Sequence, residues 1–110
     1  MTKLEEVARA WEAEALRWDI QRADASLGGW IVCRQDGNAA DIITTATSQE
    51  EARAAFSRLC GLASAKAAVE ALREPTDAMY RARPISIPER PDWLRIWGWQ
   101  IDAILSELPP

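Results

Sequence analysis

The spacing of apolar positions divides the chain into helical and extended segments. Leu4, Val7, Ala8 and Trp11 recur at helical intervals, and Thr2 with Glu5 forms a capping box, which predicts a first helix over 2–14. Leu16, Trp18 and Ile20 then alternate with Arg17, Asp19 and Gln21, the period of a strand over 16–22. Trp11, Ala15 and Trp18 would equally continue the helical stripe, since no breaker intervenes. Gly28-Gly29 punctuates the chain, and Trp30 to Arg34 reads as a strand. Asp36-Gly37 predicts a type I′ hairpin, which needs positive φ at both central residues, and 40–46 returns as the partner strand. Its unbroken run Ile42-Ile43-Thr44-Thr45 predicts that both faces are partly covered.

Ser48-Gln49-Glu50-Glu51 is a second capping box. Ala52, Ala55, Phe56, Leu59 and Cys60 form the buried stripe behind it, with Gly61 as the helix end. A further helix over 63–73 presents Ala65, Ala68, Val69 and Leu72. Glu74-Pro75 interrupts it, and Pro75 can open a short helix through Met79 and Tyr80. A loop with Pro84 and Pro88 follows over 81–90.

From Pro91 a last helix gathers Trp93, Leu94, Trp97, Ile101, Ile104, Leu105 and Leu108 on one side and leaves Arg95, Asp102 and Ser106 wet, with Pro109-Pro110 ending it. Ile96, Trp99 and Ala103 make a second, narrower apolar stripe. Two readings stand: burial in the same domain, or a partner or self-association surface in which Trp99 is the main contact. The predicted fold is α+β, a small antiparallel sheet of two or three strands packed against three to four helices. One domain would span 1–110: a helix and hairpin over 1–47, then a helical part over 48–108 with a Pro/Arg-rich loop at 81–91.

A hydrophobic share of 48% supports a core, and 27% charged residues argue against disorder. The net charge of −4 disfavours direct duplex DNA binding, which needs a concentrated positive footprint. No apolar run suits a membrane. Cys33 and Cys60 read as buried free thiols of a reducing cytoplasm, since no leader segment is recognisable.

Candidate chemistry is sparse. The absence of His removes Ser–His and Cys–His nucleophiles and imidazole metal sites, and two distant cysteines make no zinc site. Gly28-Gly29 lacks the spacing of a phosphate-binding loop, and Glu50-Glu51 is explained by capping. The expectation is no enzyme activity, no metal and no cofactor. Arg81, Arg83, Arg90 and Arg95 are the one basic concentration. They are either solvated loop charges paired with Glu89 and Asp92, or, with Tyr80, an anion or nucleotide-phosphate site.

Two patches carry a family resemblance: Ala71-Leu72-Arg73-Glu74-Pro75-Thr76-Asp77-Ala78-Met79, and Trp97, Ile101, Asp102, Ala103 and Leu105. Together they resemble short phage and prophage proteins with an ALREPTEAM and WxxMIDAAL pattern. Asp77 stands for its usual Glu, Gln100 for its usual Met, and the Arg- and Pro-rich loop departs from it. The resemblance implies provenance and carries no chemistry of its own. It points to a cytoplasmic, non-catalytic factor that inhibits a bacterial defence complex by protein contact, as anti-CRISPR proteins do. Its contacts would be Ile96 and Trp99, with exposed acids Glu5, Glu12 and Glu14 on the first helix. An oligomeric sponge for a nucleotide immune signal, using Tyr80, Arg81, Arg83 and Arg90, is the alternative, and a virion accessory a third. A homodimer is the assembly that self-association through Trp99 implies.

Overall fold

The computed structural model describes residues 2–84, 86 and 89–107. The order is α1 (Lys3–Ala15), β1 (Trp18–Arg22), a single 3₁₀ turn (Ala25–Leu27), β2 (Trp30–Asp36), β3 (Ala39–Ala46), α2 (Gln49–Ala71), α3 (Asp77–Arg81) and α4 (Arg90–Ser106). The fold is α+β, a three-stranded antiparallel sheet in the order β1-β2-β3 with four α-helices.

Helix α2 is the spine. Ser48 caps it by accepting a hydrogen bond from the Glu51 amide, and it runs unbroken for 23 residues, about 34 Å at the helical rise. Its first half crosses the sheet, and its second half carries α1 antiparallel to it. Lys3 Nζ donates to the Ala71 carbonyl at one end, and Cys60 Sγ approaches the Ala15 carbonyl at the other. Gly61 therefore does not end a helix. Helical backbone is open to glycine, and the alanine-rich sequence on both sides propagates through it.

The register places Trp18, Ile20, Val32 and Arg34 on one face of the sheet, with Thr44 and Ala46 beside them. Glu14 of α1 bonds to both Trp18 and Arg34, so this is the face turned toward the helices, and Val32, Ala46 and Ala52 are buried there. Ser64 is the one polar residue buried among the described residues, with its hydroxyl near Cys60 Sγ.

Several expectations are corrected. Leu16 does not enter the strand but closes α1, and it lies 78% exposed. On α1 the half-buried side is Lys3, Val7, Ala10 and Glu14, while Leu4 and Trp11 face outward, Leu4 at 80% exposure. The hairpin turns at Gly37-Asn38, and positive φ occurs at Gly37 alone, the pattern of a type II′ turn rather than I′. Strand β3 is not covered on both faces. A bulge opposite Val32 and Cys33 displaces Ile43, and Ile42 and Ile43 are both exposed. Thr76, not Pro75, starts α3, its hydroxyl accepting from the Met79 amide. Leu108 and Pro109-Pro110 lie outside the described residues, as does Pro88.

Candidate binding surface on the last helix

Helix α4 begins with Pro91 in its first turn, where a missing N–H is harmless, and with Asp92 near the positive helix end. Trp93 and Ile101 are buried, and Trp97 and Leu105 half-buried, on the side held against α2 and α3. Trp97 Nε1 donates to the Leu72 carbonyl at 2.7 Å, and Arg73 pairs with Asp102 at 2.9 Å while also reaching Glu70. The segments 71–79 and 97–105 thus meet in space. Leu72 and Arg73 of the first grip Trp97 and Asp102 of the second, and these contacts form the α2–α4 junction.

This junction is narrow, so the broad apolar side of α4 is covered only in part. Leu94 and Ile104, expected within the core, are exposed, at 42% and 47%. On the other side Trp99 is 62% exposed, with the Arg95 guanidinium 5.9 Å from its ring centre and Arg95 paired to Asp92. Ala103 is exposed as well, whereas Ile96 is half-buried. Ile96 lines an open groove of about 420 Å³ together with Met79, Ala82, Arg83, Trp93 and Gln100. The stripe of Ile96, Trp99 and Ala103 is therefore split between a groove wall and the open surface.

Two of the four arginines, Arg83 and Arg90, are brought together around one ring. Arg83 lies 3.8 Å and Arg90 4.7 Å from the Tyr80 ring centre, and Tyr80 meets Trp93 edge-on, with centroids 5.3 Å apart. The Tyr80 hydroxyl accepts from the Arg90 amide, and the Arg90 guanidinium pairs with Asp77. That guanidinium holds the Asp77 carboxyl below its usual range. Arg81 is exposed on the same short helix. Arg90 thus has an internal carboxylate partner, and it ties α3 to the start of α4.

Of the acids on α1, Glu5 and Glu12 are exposed, Glu5 being half of the capping box with Thr2. Glu14 does not belong with them. Its side chain is only 12% exposed and takes both Arg34 Nε and Nη2 at 2.8 Å, with Trp18 Nε1 at 2.9 Å. The Arg34 fork lowers its pKa, against the opposing effect of burial, and the indole and Arg17 add to the lowering. Sequence reasoning missed this hub. The available signal was Arg34, a charge at the end of the apolar run Trp30-Ile31-Val32-Cys33.

Neither thiol is bonded to another, and both are buried; burial, with the nearby Asp19 charge, pushes the Cys33 thiol up. Among the described residues no three His, Cys, Asp or Glu are grouped to hold a metal, and no helix is long and apolar enough to cross a membrane. Comparisons with protein-family models, curated proteins and solved structures find no match to this chain.

Proposed function

We propose that this chain is a non-catalytic binding protein that acts by protein–protein contact through the outer side of α4, with Trp99 as its anchor. The exposure of Trp99 carries the reading. A large indole held 62% exposed on a helix is the kind of side chain that dominates interface energetics once a partner desolvates it. Arg95 beside it supplies a cation that a partner carboxylate can take, and Ala103 leaves room for close approach. The family resemblance directs the partner to a bacterial defence complex, which the chain would inhibit stoichiometrically from the host cytoplasm.

The test is affinity capture from defence-competent bacteria, together with a restriction assay of that defence. The wild-type chain should retain one large host protein in fixed ratio and depress the defence. Trp99→Ala should weaken both by about tenfold or more at an unchanged thermal midpoint. Arg81→Glu with Arg83→Glu should leave both intact. Loss of activity in the arginine variant alone, with Trp99→Ala active, would favour nucleotide sequestration instead.

A further inference from the structure

We infer that β3 is a homodimerisation edge, joining two copies of this chain antiparallel into one six-stranded sheet. The first observation is an excess of surface. A compact chain of 12.3 kDa exposes about 6,100 Å², whereas this one exposes 7640 Å², about 1,500 Å² more. Its radius of gyration is 18.3 Å, against about 13 Å for a compact domain of this length. A stable interface removes about 800 Å² from each partner, so the excess is ample for one.

The second observation locates the contact. Among the described residues nothing pairs with the outer edge of β3, an eight-residue strand at the end of the sheet order. Such edges are normally blunted with Lys, Pro, inward charges or a bulge, of which β3 has the bulge alone. Residues 39–46 contain no Lys, Arg or Pro, and their one charge, Asp41, stands opposite Arg34 of β2. The bulge at Ile43 adds twist but no charge, and Ile42 and Ile43 lie exposed, at 52% and 42%. The opposite edge, β1, has only five residues and carries Asp19 and Arg22.

The third observation is self-complementarity. An antiparallel pairing centred at Ile43 sets Ile42 against Thr44 and Asp41 against Thr45 of the second copy, so no like charges meet. Two-fold symmetry requires one patch to complement itself in this way. The opposite end of α2 carries α4, so the dimer leaves both Trp99 surfaces open.

Sedimentation of the full chain across a concentration series tests this. The wild type should approach twice 12.3 kDa, and Ile42→Lys with Ile43→Lys should stay monomeric with unchanged far-ultraviolet dichroism. Trp99→Ala should dimerise like the wild type. Amide exchange of the wild type supplies a measure that needs no variant: β3 amides should lose about tenfold or more of their protection on dilution through the dissociation midpoint. A wild type monomeric at every concentration overturns the proposal. So does a dimer that survives the double lysine change but dissociates in Trp99→Ala, or one whose β3 amides ignore dilution.

Discussion

Glu14 lies at the end of α1, where its carboxylate reaches the sheet instead of solvent and collects Arg34, Trp18 and Arg17. Replacing it with Ala leaves the half-buried Arg34 without its main partner, and a charged hydrogen bond of this kind contributes about 1.5–3 kcal/mol. Urea denaturation at neutral pH should show a loss of that size. The pH dependence has a definite sign, because the folded carboxyl titrates below its unfolded value. The stability it contributes is therefore complete above about pH 4.5 and disappears as pH falls through the lower folded value. A Glu14→Gln variant should show a shallower acid loss of stability than the wild type, and an identical slope in both would remove Glu14 from this role. Helical periodicity sets Glu14 seven residues after Val7 and three after Trp11, on the apolar side of α1, but which cation satisfies it there is decided by the tertiary position of Arg34. At this scale the sequence is legible for caps such as Thr2 and Ser48, whose bonds are local, and illegible for partners twenty residues away.

At the scale of elements, the glycines separate local rules from tertiary context. Gly28 has φ of 85°, and a Cβ there would sit 2.8 Å from the Ala46 carbonyl oxygen, which is backbone and cannot swing aside. Gly28→Ala combines a left-handed penalty of about 1–2 kcal/mol with a shift of the β3 end, so its thermal midpoint should fall. Gly61 and Gly98 lie inside α2 and α4, and a Cβ at either meets nothing within 4 Å. Gly61→Ala and Gly98→Ala should each stabilise by about 0.5–1 kcal/mol, through helix propensity alone. Calorimetry of the three variants checks both signs, and a destabilised Gly61→Ala would mean that α2 is not the continuous spine described. The same contrast explains what the sequence concealed. Gly61 after an apolar stripe reads as a C-cap, but a cap needs a left-handed residue, and Gly61 remains helical. The sheet, its hairpin and the capped starts of α1 and α2 were legible because alternation and capping are short-range. The exposure of β3, Leu94 and Ile104 was not, because apolar pattern marks what can be buried and says nothing of whether a neighbour arrives.

The whole molecule is 60 Å long and 27 by 23 Å across, with the sheet on one half of α2 and α4 joined to the other. The burial follows that shape. The larger core runs along α2 from Val32, Ala46 and Ala52 at the sheet to Cys60 and Ser64 beside α1, while Trp93 and Ile101 lie in a smaller one around Tyr80 and Trp97. Two cores linked by one helix need not open together, because each loses contacts mainly of its own. The smaller one depends on few bonds: Trp97 to the Leu72 carbonyl, Arg73 to Asp102, and Arg90 to Asp77. Amides of α4 should therefore exchange through a local opening of lower free energy than those of β2, which should require global unfolding. Trp97→Ala removes the stacked indole next to Trp93 and its bond to α2; core aromatic truncations cost about 3–5 kcal/mol, and the half-buried Trp97 should fall at or below the low end of that range. In native-state hydrogen exchange it should abolish the protection of α4 while lowering that of β2 by much less. If both regions lose protection equally, the chain is one cooperative unit. The α4 surface would then be held as rigidly as the sheet, and any partner of Trp99 would meet a fixed helix instead of a separately opening one.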